Sequence, residues 1–129
     1  MDNLELHHIG VATKSIEKEF EMFKKLGYRQ SSDVFIDKKQ NIRGMFIEAN
    51  NQPRLELLEN ISDNGPLNNY LKNGNKFYHF AYKTTNIAKD YERLLSEGAI
   101  PIVKITKATY FNKICFFMMK NMMLIELVE

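Results

Sequence analysis

Four side chains able to bind a metal ion or move a proton recur in this sequence at matched places. His8 and His79 open two similar stretches, and Glu56 and Glu126 sit in two short runs flanked by Leu or Ile. Sliding the chain by 71 residues lays HIGVATKSIEKEFEMFKKLG (His8 to Gly27) on HFAYKTTNIAKDYERLLSEG (His79 to Gly98) without a gap. A shift of 70 lays RLELLE (Arg54 to Glu59) on LIELVE (Leu124 to Glu129). Two imidazole nitrogens and two carboxylate oxygens suit a borderline divalent cation such as Zn, Co, Ni, Mn or Fe, with positions left for water or substrate. A cation of that kind polarises a carbonyl, and a carboxylate beside it can take the neighbouring proton. Glu56 and Glu126 are then candidate ligands and also candidate proton carriers. One on either side of a planar enolate is what inversion at carbon or a 1,2-proton shift requires. Taken singly, each His reads as a hydrogen-bonded core residue and each Glu as a solvated edge residue. Recurrence of all four in register favours the metal reading.

The elements that must position these groups follow from the repeat, which fixes an architecture more firmly than local propensity does. In each copy an apolar strand carries the His. Ser15 or Asn86 then caps a helix whose Ile16, Phe20 and Phe23, or Ile87, Tyr91 and Leu94, recur at helical spacing. Gly27 and Gly98 end these helices, where a left-handed residue is wanted. Strands are predicted at Tyr28 to Ile36, Arg43 to Glu48 and Arg54 to Leu58, and again at Ile100 to Ile105, Lys113 to Met118 and Met123 to Val128. Asn50-Asn51-Gln52-Pro53 and Lys120-Asn121 are turn-like breaks between the last two strands of each copy. The expected organisation is a single domain over residues 1–129 with a βαβββ module at 1–59, a linker at 60–75 and a second module at 76–129. In the linker, Pro66 starts a short helix that ends before Gly74. Side chains alternate along a strand, so Ile9 and Val11 point away from His8, and Leu55 and Leu57 away from Glu56. The same parity separates Phe80 and Tyr82 from His79, and Ile125 and Leu127 from Glu126. One face of each sheet is thus apolar and suited to pack a helix, while the other carries an ionisable pair. A carboxylate among aliphatic neighbours is costly unless it is paired or bound to a cation.

Composition narrows the function classes. In 129 residues, 44% hydrophobic and 12% aromatic content gives enough apolar surface for one folded domain. The longest apolar stretch, Ile114 to Met119, is far short of the roughly 18–20 residues that cross a bilayer. The start MDNLELHHIG is acidic where a secretory leader is basic, so a cytoplasmic location is expected. A formal net charge of +2, spread along the chain, leaves no basic footprint for nucleic acid. Cys115, the only cysteine, reads as a buried thiol within ICFFMM. His7 falls on the face opposite His8 and is expected to be structural or at the surface. Glu59 and Glu129, at strand ends, are expected to be solvated. Arg43, Lys104, Lys107 and Lys113 could meet a substrate phosphate or carboxylate, though scattered cations are usually surface. Phe116, Met118 and Met119 could line an apolar pocket, though core packing is favoured for most of them.

The segments HHIGVA (His7 to Ala12), LELLEN (Leu55 to Asn60), GPLNNYLKNGNKFYHFAY (Gly65 to Tyr82) and LIELVE resemble, in order and spacing, those of the vicinal oxygen chelate superfamily, the glyoxalase and bleomycin-resistance group. The methylmalonyl-CoA epimerase branch is the most similar. The resemblance implies an α+β glyoxalase fold, two tandem βαβββ modules forming a curved, barrel-like mixed sheet around a metal cleft. It also places His8, Glu56, His79 and Glu126 at the family's four ligand positions for one divalent ion. The activity implied first is epimerisation of a 2-substituted acyl thioester. Isomerisation of a hemithioacetal, as in lactoylglutathione lyase, comes next, because that enzyme uses the same two-His, two-Glu set. A non-catalytic drug- or metabolite-binding protein is the alternative of another class, and the intact ligand set counts against it. Extradiol iron dioxygenases use two His and one carboxylate, so the additional Glu56 counts against oxygen chemistry. The expected partner is a small-molecule substrate, with no nucleic acid or membrane, and by analogy a homodimer is possible.

Overall fold

The structure is a computed structural model that describes residues 3–129; Asp2, part of the acidic start weighed above, lies outside the described residues. The chain forms two compact units. The first is His8–Tyr78, and the second joins His79–Glu129 to the described residues before His8.

In the first unit, β1 (Glu5–Thr13, from His8 onward) leads into α1 (Ile16–Lys24). Next come β2 (Arg29–Gln30), β3 (Phe35–Asp37), β4 (Ile42–Glu48), β5 (Leu55–Asn60) and the short α2 (Asn68–Lys72). β5 lies between β1, to which it is parallel, and β4, to which it is antiparallel. Ser15 begins α1 as expected, its hydroxyl accepting the Lys18 N–H at 3.2 Å. Glu17 and Glu19 in the first turn and Lys24 in the last complement the helix dipole. Gly27 turns the chain out of the helix at φ 95°. The apolar side of the strands, with Val11, Met45, Ile47, Leu55 and Leu57, packs against Ile16, Phe20 and Phe23 of α1 and against Tyr28. The opposite side is not wholly polar. Ala12, Ile42 and Leu58 form a second cluster with Leu67, and Tyr70 and Leu71 of α2 pack against it.

One expected strand is broken. Instead of running unbroken from Tyr28 to Ile36, the segment pairs with β4 twice, and residues 31–34 bulge opposite residues 45–46. The cause is side-chain competition for the ladder. Ser32 Oγ, in place of a backbone carbonyl, accepts the Phe46 N–H at 2.9 Å, and the Gln30 amide donates to the Ser32 carbonyl at 2.8 Å.

The second unit repeats the plan. β6 (Phe77–Lys83, from His79 onward) is followed by α3 (Ile87–Ser96), β7 (Ile100–Lys107), β8 (Lys113–Met118) and β9 (Leu124–Val128). β9 is parallel to β6 and antiparallel to β8, and β8 is antiparallel to β7. The Asn86 side chain accepts the Lys89 N–H at 3.1 Å, and Gly98 stands at φ 97°. Tyr82, Cys115, Phe117 and Leu127 pack against Ile87, Tyr91 and Leu94 of α3. Each unit is therefore a mixed sheet with a helix on one face, and the fold class is the expected α+β. Among the described residues, no helix is long and apolar enough to cross a membrane.

Candidate metal centre

Parallel pairing decides which side chains share a face. In the first unit Gly10 stands opposite Glu56 in the β1–β5 ladder, and in the second Ala81 stands opposite Glu126 in the β6–β9 ladder. His8 and His79 lie two residues before those partners, on the same face of their strands as the carboxylate. In these two parallel ladders the residue directly opposite the carboxylate has either no side chain or a methyl group. Nothing bulky from that position stands between the carboxylate and its imidazole.

The result is the same pair in each unit. His8 Nε2 lies 3.1 Å from Glu56 Oε1, and His79 Nε2 lies 3.1 Å from Glu126 Oε1. All four residues are buried, with relative exposures of 0% for His8, 7% for Glu56, 3% for His79 and 6% for Glu126. The alternative of a solvated edge glutamate is thereby excluded for both Glu56 and Glu126. An imidazole nitrogen and a carboxylate oxygen at this separation share either a proton or a cation, since two facing lone pairs repel. Two cis ligands each about 2.1 Å from one ion would be about 3.0 Å apart, so the pairs fit the edge of a coordination polyhedron. Each of the four offers one ligand atom, and a buried His–Glu–His–Glu set of this kind could hold a metal ion.

Aromatic rings flank both pairs. Phe46, opposite Glu56 in the β4–β5 ladder, stands edge-on to the His8 ring, with centroids 5.0 Å apart at 77°. Phe116, opposite Glu126 in the β8–β9 ladder, stands edge-on to His79 at 5.3 Å and 90°. These contacts restrict ring rotation and lower the local dielectric, which strengthens any charge interaction made there. In the first unit Phe35 stacks on Phe46 at 5.8 Å. Its ring passes so close to Gly44 that a Cβ there would lie 2.5 Å from Cζ. The repeat carried this signal, for at a shift of 70 RGMFIE (43–48) falls on KICFFM (113–118) and aligns Phe46 with Phe116. Phe116 is buried, as expected of a core residue, and it also bounds the His79–Glu126 pair.

Glu59 and Glu129 are corrected more fundamentally. Glu59 Oε1 accepts the Ile16 N–H at 2.9 Å, and Glu129 Oε2 accepts the Ile87 N–H at 2.9 Å. Each last strand thus ends with a carboxylate on the first turn of its own unit's helix, where the dipole favours negative charge. Arg43 belongs to this arrangement, donating to Glu59 at 2.7 Å and to Glu17 at 3.3 Å. The Glu59 hydrogen bond raises its pKa further above the ordinary arginine value. Lys104, Lys107 and Lys113 are exposed. His7 is half-buried, edge-on to Phe111 at 5.0 Å. Cys115 is fully buried, and desolvation pushes its thiol up to about 12, as expected of an inert core residue.

Comparison with solved structures shows the same fold in several proteins. A hypothetical protein of Bacillus halodurans matches with a TM-score of 0.83 and 19% identity, over 99% of this chain and 95% of its own. The methylmalonyl-CoA epimerase of Mycobacterium tuberculosis matches with a TM-score of 0.84 and 21% identity, over 97% of this chain and 87% of its own. A variant of the Streptomyces coelicolor methylmalonyl-CoA epimerase, solved in complex with 2-nitronate-propionyl-CoA, gives 0.84 and 20%, over 98% and 97%. No curated protein matches the sequence. The model of the glyoxalase/bleomycin resistance protein/dioxygenase superfamily matches residues 7–116, and the chain belongs to that superfamily.

Proposed function

We propose that His8, Glu56, His79 and Glu126 together hold one divalent ion and that the protein is a metal-dependent epimerase acting on a 2-substituted acyl thioester. The observation that carries the reading is the buried imidazole–carboxylate pair repeated at 3.1 Å in both units. Two ligands are too few for a stable transition-metal site, since catalytic centres of this type use three protein ligands and structural ones four. Two pairs contributed to one ion meet that number. The family and the fold shared with two methylmalonyl-CoA epimerases support the choice of chemistry.

When bound, a divalent ion supplies Lewis-acid stabilisation of the charge that develops on a substrate carbonyl oxygen. The chain's own groups do the rest. His8 and His79 anchor, held by the edges of Phe46 and Phe116. Glu56 and Glu126 are the carboxylates able to accept the α-proton or return it. Removal on one face and return on the other inverts the carbon. Removal and return to the adjacent carbon gives the 1,2-shift of a hemithioacetal isomerase.

The test is solvent exchange. The protein is loaded with each candidate ion and incubated in D2O with methylmalonyl-CoA, other 2-methyl acyl-CoAs or the methylglyoxal–glutathione hemithioacetal. Metal-dependent deuterium uptake at the α-carbon of an acyl-CoA is expected, falling at least about 100-fold in Glu126→Gln. Exchange on the hemithioacetal alone would instead select the isomerase. Uptake unchanged by Glu126→Gln and by His79→Ala would remove both residues from the mechanism.

A further inference from the structure

The helix-facing side of the first unit is plugged where that of the second is open. After Gly27, Tyr28 is buried, its ring edge-on to Phe23 with centroids 5.5 Å apart, and its hydroxyl donates to the Pro53 carbonyl at 2.8 Å. The Gln52 amide donates to the Leu26 carbonyl at 3.3 Å, so the end of α1 is tied to the β4–β5 turn around that ring. At the 71-residue shift Tyr28 becomes Ala99 and Phe23 becomes Leu94. In the second unit a cavity of about 720 Å³ lies at this place, under the end of α3 and beside the β8–β9 turn. Its volume falls within the roughly 300–1,000 Å³ of small-molecule sites.

The lining has two parts. The apolar part includes Leu4, Tyr82, Leu94, Ala99, Met119 and Ile125. Methionine side chains adapt well to flat rings. Arg93, Glu97, Lys120 and Asn121 form the polar part. Arg93 already contacts Asp90 at 3.5 Å and Glu97 at 3.6 Å, while the Lys120 chain crosses Gly98, within 2.7 Å of where a Cβ would stand. By strand parity Tyr82 and Ile125 face away from His79 and Glu126, so this cavity is on the other side of the sheet from the metal ligands. We propose that it is a second ligand site, for a small aromatic carboxylate. The ring takes the place that Tyr28 fills in the first unit, and the carboxylate lies against Lys120 and Arg93.

Titration of the full-length protein with 2-naphthoate, and with the neutral 2-naphthalenemethanol, tests this by calorimetry and ligand-detected NMR. The acid is expected to bind more tightly than the alcohol, and Lys120→Met to bring the two together. Ala99→Tyr, which restores the plug found in the first unit, is expected to weaken binding at least about tenfold. His79→Ala should leave it unchanged, which separates this site from the metal centre. If Ala99→Tyr does not fold, Ala99→Leu is expected to weaken binding in a chain whose fold circular dichroism verifies. Binding that survives both substitutions, or no binding of either probe at millimolar concentration, would overturn the proposal. So would a dimer in sedimentation that Ala99→Tyr abolishes, because a second copy would then be the occupant.

Discussion

Replacing Glu59 by alanine removes the acceptor for the Ile16 N–H and the partner of Arg43 together. The expected cost is about 1–2 kcal/mol, the range of a lost helix cap, read as a lower midpoint in urea unfolding with metal binding retained. Ala81→Leu acts on the other face. A branched side chain directly opposite Glu126 would displace the carboxylate from His79, and metal affinity measured by competition with a chelating dye should fall at least about tenfold. Cys115, with its thiol pushed up to about 12 by burial, carries negligible thiolate at pH 8. Thiol reagents should modify it far more slowly in the folded chain than in urea, where the ordinary value of about 8.5 returns. A folded protein labelled as fast as the unfolded one would contradict the core placement. At this scale the sequence makes His8, Glu56, His79 and Glu126 legible because each has a counterpart that local propensity would not preserve. It also marks Glu59 and Glu129 as a repeated pair. Their role stays hidden, because whether a strand-end carboxylate meets water or a helix start depends on where the chain returns.

Elements were read best where a backbone group has a local partner. Ser15, Asn86, Gly27 and Gly98 act within a few residues of the helices they bound, and the helices begin and end accordingly. The break at residues 31–34 was not legible, since Ser32 becomes a ladder acceptor only once β4 lies beside it. The β8–β9 turn makes a different point. With no glycine after Gly98, the left-handed position falls to Met122, at φ 70° and 77% exposed. A side chain in that conformation costs roughly 1–2 kcal/mol, partly offset by the greater chain entropy of glycine when unfolded. Met122→Gly should therefore stabilise the protein by about 0.5–1 kcal/mol, a rise of a few degrees in Tm. An unchanged or lowered Tm would show that the turn carries no strain.

For the molecule as a whole, duplication explains why two units of one chain place a buried imidazole beside a buried carboxylate at the same separation. Each pair is expensive to bury by itself, and a shared cation would offset that cost for both. Binding to the folded state alone should then raise Tm with metal concentration, and a chelator should lower it. The same duplication shows where the copies diverged, since the cavity of the second unit occupies the place of Tyr28 in the first. The most direct test of the central claim is metal stoichiometry, measured by plasma mass spectrometry on the purified protein and on double variants that remove either pair whole. One ion per chain is expected, lost alike from His8→Ala/Glu56→Gln and from His79→Ala/Glu126→Gln. Two ions per chain, or an ion retained in full when either pair is broken, would contradict a centre shared by all four residues.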